Sequence, residues 1–380
     1  MPYSDPSAFD ESLVLFRDSV RRFLEAEFVP HLDAWRQARR IPMEFFRKAG
    51  AQGLLCPTVP AEYGGAECDY RYNAVVIEEV SACGVIPAGF GVHSDIVAHY
   101  LLHLGTPEQK ARYLPAMVAG ELLGAIAMTE PGSGSDLQAI QTTARRDGAD
   151  YVLNGQKTFI TNGQNADLVI VAAKTDQAAG ARGISLFLVE AGTLGFARGR
   201  QLHKMGGHEQ DTSELFFSDL RAPASALLGP EGGGFAAMMS ELPTERLSVS
   251  IGAVAAAEKA LAITIDYVKT REAFGKRLIE FQNTGFKLAE LRAEVHAVRA
   301  YVNHCLARHL VGAFTAVDGA EAKLVTTKLQ CRVVDECLQL HGGNGWMDEY
   351  LISRMYADAR VQRIYGGTDE IMKLIISRSL

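Results

Sequence analysis

The spacing of apolar residues changes character twice along this chain, and those two changes constrain its fold more than any other feature. Residues 10–29 place Leu13, Phe16, Val20 and Phe23 three and four apart, the stripe of an amphipathic helix, and Pro30 stops the run. Pro42 opens a short helix that Gly50 ends. Thr106-Pro107-Glu108 supplies an N-cap hydroxyl, a proline at the first helical position and an acid in the first turn, which predicts a helix to about Gly120. From about residue 121, short apolar runs alternate with turn residues. Leu168 to Ala173 and Ile184 to Val189 read as strands, with Glu214 to Phe217 and Ala226 to Leu228 as further ones. Tyr151-Val152-Leu153 and Lys157 to Thr161, separated by Asn154-Gly155, read as a hairpin with a two-residue turn. Gly229-Pro230-Glu231-Gly232-Gly233-Gly234 closes the block. Helical spacing then returns over 246–269, over Leu288, Leu291, Val295, Val298 and Val302, over 319–341 and over 369–379. Gly342-Gly343-Asn344-Gly345 breaks the third of these.

The expected architecture is α+β: helices over 1–120, a small barrel- or sandwich-like β domain over 121–230 and a helical bundle over 231–380, packed as successive layers. With 380 residues, 48% hydrophobic and 22% charged, the chain can bury a large core, which excludes disordered and fibrous classes. No run approaches the ~18 apolar residues of a membrane helix. Residues 84–102 come nearest, interrupted by His93, Ser94, Asp95 and His99. The polar start MPYSDPSAFD does not read as a signal or transit peptide. Lys and Arg number 38 against 45 Asp and Glu, and a net charge of −7 argues against a nucleic-acid partner. The six cysteines form no C-x-x-C and no Cys–His zinc spacing, so six packed thiols in a reducing cytoplasm are expected. His99 and His103 lie four apart, but Tyr100 stands where H-E-x-x-H needs its Glu, so no metal site is expected.

The chain lacks a Walker P-loop and a G-x-S-x-G elbow, and no G-x-G-x-x-G links a strand to a helix. Four other segments carry chemistry. Met128-Thr129-Glu130-Pro131-Gly132-Ser133-Gly134-Ser135-Asp136 sets glycines and hydroxyls at a strand exit, where backbone N–H groups can grip phosphate or carbonyl oxygens; the plain reading is a surface turn. In Lys157-Thr158-Phe159-Ile160-Thr161, period two points Phe159 and Thr161 to one face, an aromatic and a donor suited to a planar heterocycle; a half-buried sheet face would look the same. Arg271-Glu272-Ala273-Phe274-Gly275-Lys276-Arg277, with Phe281-Gln282, concentrates cations between two long helices and suits a pyrophosphate or a solvated turn. The fourth runs from Gln339-Leu340-His341-Gly342-Gly343 to Tyr365-Gly366-Gly367-Thr368-Asp369-Glu370.

Segments of this kind, in this order and at these intervals, resemble the acyl-CoA dehydrogenases over essentially the whole chain. The resemblance implies an all-α N-terminal domain, a central β domain and a C-terminal four-helix domain. It implies FAD, an acyl-CoA substrate, a homotetramer built as a dimer of dimers, and electron transfer to an electron-transferring flavoprotein. Met128, Thr129 and Ser135 match positions along the flavin and its phosphates, with Ser135 also near the substrate. Phe159 and Thr161 match the pair at the flavin ring, where the family often has Trp in place of Phe159. Arg271, Phe274 and Gln282 match residues that reach the FAD of the neighbouring subunit. Gln339, Gly342 and Gly343 match the stretch beside its adenine end, and Thr368 and Glu370 match further FAD contacts.

One departure from the family is informative. Many members place the catalytic base in the tetrapeptide that reads Tyr365-Gly366-Gly367-Thr368 here, where Gly366 has no proton acceptor. The long-chain and isovaleryl branches carry it on an earlier helix, and in Glu241-Leu242-Pro243-Thr244-Glu245-Arg246-Leu247 the residue that matches is Glu245. Glu241 is the competitor, and Pro243 between them is expected to interrupt helical stacking. Thr244, Arg246, Gly366 and Gly367 match substrate-side positions. The implied reaction is α,β-dehydrogenation of an acyl-CoA of long or branched chain. Enclosure in an apolar pocket would raise the Glu245 pKa and Arg246 would oppose the rise, which leaves the net shift open at the level of sequence. The rival readings are an acyl-CoA oxidase and a flavin-binding member without dehydrogenase activity.

Overall fold

The computed structural model describes residues 11–380. The start MPYSDPSAFD, with the first residue of the first expected helix, lies outside them. Helices α1 (Glu11–Glu27), α2 (Leu32–Ala38), α3 (Met43–Ala51) and α4 (Tyr70–Ala82) are followed by a continuous helical stretch. That stretch is α5 (Ala88–Gly91), a π turn (Val92–Val97) and α6 (Ala98–Leu104). Helix α7 (Pro107–Val118) starts where its cap signals place it: Thr106 and Gln109 form a reciprocal capping box.

Eight strands follow in one sheet: β1 (Gly124–Ala127), β2 (Thr143–Asp147), β3 (Asp150–Thr161), β4 (Leu168–Lys174), β5 (Ile184–Glu190), β6 (Phe196–Gln201), β7 (Thr212–Ala222) and β8 (Leu227–Leu228). Their order is β6-β7-β3-β2-β4-β5-β8, with β1 parallel to β4. The unbroken apolar runs of β4 and β5 reflect burial on both faces. On β4, Leu168, Ile170 and Ala172 pack into the core of the N-terminal helices, while Val169, Val171 and Ala173 pack into a second core on the other face.

The expected hairpin at Asn154-Gly155 does not form. Strand β3 runs straight through, because β2 and β7 flank it on both sides and leave no free edge for a turn. Asn-Gly marks instead a slip in the β3–β7 register. A Cβ on Gly155 would lie 2.4 Å from the Thr142 hydroxyl oxygen, so the slip lets another backbone pass closely. The true turn precedes it, where Asp147 pairs with Asp150.

The C-terminal layer contains α8 (Gly234–Thr270), a small ribbon of β9 (Glu272–Ala273) and β10 (Lys276–Arg277), then α9 (Gln282–Leu310), α10 (Ala316–His341), α11 (Leu351–Ala359) and α12 (Asp369–Ser377). Helix α8 differs from expectation in two ways. It starts at Gly234 rather than 246 and carries Pro243 inside it. It is also long and apolar enough to cross a membrane by length and composition, which 84–102 is not. Most of that window is buried in the protein, as befits the central helix of a bundle. An interior proline costs about 3 kcal/mol. Here burial of α8 on several sides offsets it, and Gly319 of α10 fits against the proline: a Cβ there would sit 3.2 Å from Pro243 Cα.

Buried charge joins the outer layers. Arg299 of α9, 4% exposed, donates to Glu78 of α4 at 2.5 Å and to Glu258 of α8 at 2.7 Å. Glu78 also accepts from Arg17 of α1 at 2.6 Å. Removing one member strands a buried charge, so Arg299→Met should lower the unfolding free energy by about 3 kcal/mol. Adding Glu258→Gln should recover part of the loss, measured by denaturant unfolding. A loss below about 1 kcal/mol would mean that the network contributes no more than surface pairs do.

Candidate active site

The passage of α8 through Pro243 sets the geometry of the site. Because the helix does not break there, Glu241 and Glu245 sit one turn apart on its buried face, against the expected interruption. They are 7% and 8% exposed. Helix α6 supplies a partner to each. His103 Nδ1 lies 2.8 Å from Glu241 Oε1, and the Tyr100 hydroxyl donates to Glu245 Oε1 at 3.4 Å. Glu241 thus has a close imidazole partner, whose pKa its hydrogen bond raises, and Glu245 has a long neutral one. Burial raises the Glu245 pKa to about 7. Arg246 pulls it down, Glu241 pushes it further up, and Tyr100 offsets part of the rise. The opposition from Arg246 that the sequence exposes is real, and desolvation outweighs it.

Arg246 also faces the turn formed by Gly366 and Gly367. Its Nε donates to the Gly366 carbonyl at 3.1 Å, while Lys323 Nζ of α10 donates to the Gly367 carbonyl at 2.8 Å. Both glycines have left-handed backbones, φ +63° and +101°. A Cβ on Gly366 would have room, with its nearest atom at 3.5 Å, whereas on Gly367 it would lie 2.7 Å from Met372 Cε. The two cations pin a turn that only glycine adopts without strain. Lys323 went unnoticed in the sequence. Its only signal there is that its neighbours three and four residues away on α10, Gly319, Ala320, Thr326 and Thr327, are small and uncharged. Burial lowers its pKa to about 8 although Asp369 opposes the fall.

A second group gathers at the sheet. Glu130 accepts from the Gln141 N–H at 2.5 Å, from the Thr142 N–H at 3.0 Å and from the fully buried Lys157 ammonium at 2.8 Å. Lys157 also donates to the Met128 carbonyl at 2.9 Å, and the Thr158 N–H to the Thr129 carbonyl at 2.9 Å. The segment from Met128 to Asp136 is therefore clamped from behind by an ion pair that the sequence did not single out. Burial works against the Glu130 charge, yet Lys157 and the two amides hold its pKa below the usual carboxylate range, and burial lowers Lys157 to about 8. On the outer side Ser135 is exposed, and nothing stands near the Cβ positions of Gly132 and Gly134. Phe159 has a left-handed backbone, φ +60°, at a break in register between Lys157 and Ile160. That bulge, rather than simple period-two alternation, sets where its ring points. The ring is 67% exposed, and Thr161 beyond it is half-buried.

The remaining positions lie elsewhere on the protomer. Arg271 and Gln282 are exposed, and Phe274, on the β9–β10 ribbon, is 95% exposed. Gln339, Gly342 and Gly343 are exposed at the end of α10. Thr368 caps α12 by accepting from the Ile371 N–H, Glu370 is exposed in its first turn, and Thr244 is half-buried beside Glu245. Among the described residues, no hydrogen bond or ring contact joins Arg271, Phe274, Gln282, Gln339, Gly342 or Gly343 to the sheet group. His99 and His103 have other partners, Thr58 and Glu241, and no group of three metal-ligating side chains occurs among the described residues.

Known proteins share this architecture. Models of the N-terminal, middle and C-terminal domains of acyl-CoA dehydrogenase match residues 10–121, 125–220 and 232–380. The long-chain specific acyl-CoA dehydrogenase, mitochondrial, of Mus musculus is 49% identical over 368 residues, 96% of this chain and 86% of that protein. The crystal structure of acyl-CoA dehydrogenase from Geobacillus kaustophilus superposes with a TM-score of 0.96 at 49% identity, covering 98% of both chains. A glutaryl-CoA dehydrogenase from Mycobacterium smegmatis in complex with FADH2 superposes with a TM-score of 0.92 at 30% identity, covering 99% of this chain and 96% of that one. The protein is thus a flavin-dependent oxidoreductase in class. It belongs to the acyl-CoA dehydrogenase family and depends on FAD. The residues present fit that cofactor: an exposed aromatic ring, a half-buried hydroxyl and an open glycine loop lie on adjoining segments of the sheet.

The site carries its own pH signature. The unfolded chain ionises Glu245 near 4.5, whereas the folded chain holds its proton to about 7. The folded state binds more protons over that window, so this group makes stability fall as pH rises through it. Glu245→Gln should therefore melt at a higher temperature than wild type at pH 8, by the equivalent of about 3 kcal/mol at most, and at nearly the same temperature at pH 4. An equal difference at both pH values would show that Glu245 is not held neutral by its surroundings.

Proposed function

We propose that the protein catalyses α,β-dehydrogenation of an acyl-CoA thioester, with Glu245 as the base that removes the α-proton. The observation that carries this reading is a buried carboxylate, raised to about 7 and hydrogen-bonded by the neutral Tyr100 hydroxyl, next in the chain to the arginine that, with Lys323, holds the carbonyls of the 366–367 glycine turn. A carboxylate of that pKa is matched to accept a weakly acidic proton near neutral pH. The α C–H becomes acidic only as charge develops on the thioester oxygen. In this reading the backbone N–H of Gly366 stabilises that oxygen, and Gly367 and Thr244 line the approach. Arg246 and Lys323 hold the turn in place before substrate arrives, so no reorganisation is needed as the charge forms.

FAD supplies the acceptor for the β-hydride. Met128, Thr129, Ser135, Phe159, Thr161, Thr368 and Glu370 would hold it from one protomer. Arg271, Phe274, Gln282, Gln339, Gly342 and Gly343 would reach it from a neighbour, which suits their exposure in a single chain. We read the assembly as a homotetramer, the electron acceptor as an electron-transferring flavoprotein, and the compartment as a reducing cytoplasm, which suits the six free thiols. A long or branched acyl chain is the preferred substrate class. It is supported by the 49% identity to a relative named for long chains.

Anaerobic titration of the holoenzyme with straight and branched acyl-CoAs of rising length tests this. Flavin absorbance should bleach fastest with long or branched chains, with a rate that rises with pH through about 7. Glu245→Gln should lose at least ~10²-fold in rate while still binding acyl-CoA, the scale of a lost general base. Undiminished bleaching in Glu245→Gln would move the base elsewhere. No bleaching by any acyl-CoA in wild type would end the dehydrogenase reading.

A further inference from the structure

Two buried polar atoms near Glu245 stand without partners. Tyr70, the first residue of α4, is 4% exposed, and Asn73 one turn later is 2% exposed. Tyr70 packs in one cluster with Ala74, Ile77, Leu247 and Ile251. Its ring meets the edges of His309 at 4.7 Å and His99 at 6.0 Å between centroids. Neither the Tyr70 hydroxyl nor Asn73 Oδ1 has a hydrogen-bond partner among the described residues. Asn73 Nδ2 donates to Asp95 Oδ1 at 2.5 Å, and Asp95 is itself 4% exposed, in the π turn.

Buried polar atoms are ordinarily paired, and an unpaired one needs a reason. These two atoms bridge no elements, although the Tyr70 ring and the Asn73 amide nitrogen do. They do share an electrostatic neighbourhood with the base: burial first, then the Asp95 and Glu245 carboxyls, push the Tyr70 phenol up. The π turn adds a second indication, since single π turns inside α-helices are frequent at functional sites. The free valences are complementary. Tyr70 offers a hydroxyl proton, and Asn73 Oδ1 offers a lone pair. They lie three residues apart on α4, one turn of one helix face, and a hydroxyl is the simple group that can both accept from the one and donate to the other.

We propose that Tyr70, Asn73 and Asp95 form a polar subsite for a hydroxyl substituent on the acyl chain, beyond its β-carbon. The protein would then act on hydroxylated acyl-CoA thioesters in preference to plain ones. This rests on the reading of Glu245 as the base, because that residue fixes where the α-carbon sits and hence which part of the chain meets α4. The Tyr70 hydroxyl donates to the substrate oxygen, and the substrate hydroxyl donates to Asn73 Oδ1. Asp95 is a positioning residue, because it holds the Asn73 amide by accepting from Nδ2 and so turns Oδ1 toward the ligand.

The test compares paired acyl-CoAs of equal length, plain or carrying a hydroxyl moved stepwise along the chain, on the holoenzyme. Two readouts are taken: kcat/KM for flavin reduction, and Kd by calorimetry. The proposal expects one hydroxyl position to be favoured at least tenfold over the plain chain in both. Tyr70→Phe and Asn73→Leu should each cut that ratio several-fold, the scale of one neutral hydrogen bond. Asp95→Asn, which can still accept from the Asn73 amide, should retain more of the ratio than Asp95→Leu. A plain chain bound and turned over as well as every hydroxylated one, with ratios unmoved in the variants, would overturn the proposal and leave the cluster as the seat of an internal water. If neither kind of acyl-CoA bleaches the flavin, the reading of Glu245 fails on kinetics, and the Kd ratio still decides the subsite.

Discussion

The structure depends on burying one long helix that carries charge. Helix α8 passes through the middle of the C-terminal layer and also meets α4 of the N-terminal layer. Its apolar residues give the burial that tolerates Pro243. Its polar residues Glu241, Glu245 and Arg246 are buried with them because they lie on the same helix. Desolvating three charged groups is costly, and each is answered differently. Glu241 takes His103, Arg246 takes a backbone carbonyl, and Glu245 is left with a neutral phenol. The one that is least compensated is the one whose proton affinity reaches the working pH.

The same pattern recurs away from α8. Lys323 and Lys157 are both fully buried, and each fixes backbone that would otherwise be free to move. Lys323 holds the 366–367 turn, and Lys157 with Glu130 holds the loop from Met128. In each case a lysine whose pKa burial lowers to about 8 serves as a rigid donor. The exposed groups that a cofactor would touch, Ser135 and Phe159, sit directly on these supports. Rigid support behind and open surface in front is what preorganisation requires.

Much of this was legible in the sequence, and the exceptions have physical causes. The α, β, α order was legible because helix and strand periods differ and because Thr106 and Pro107 mark a helix start without ambiguity. Glu245 stands out in the sequence as a candidate through its motif and the glycine at 366, and the structure places it buried on α8. The hairpin failed because a local turn signal, Asn154-Gly155, was overridden by neighbours on both sides of β3, which no local pattern reveals. The start of α8 was missed because proline was read by its intrinsic cost, while tertiary burial decided the outcome. Lys157, Glu130 and Lys323 were missed because a single charged residue reads as a solvated face until its partner, 27 residues away for Lys157 and 44 for Lys323, is placed beside it. Tyr70, Asn73 and Asp95 belong to no motif and become visible only through burial and unpaired atoms.

The central claim is that α8 delivers Glu245 to an α-proton with the right affinity for it. The most direct measurement is exchange of the acyl-CoA α-proton with solvent deuterium, followed by mass spectrometry on the recovered thioester. The account predicts exchange in wild type that rises with pH through about 7, persists in Glu241→Gln and disappears in Glu245→Gln. Exchange that continues unchanged in Glu245→Gln would contradict it.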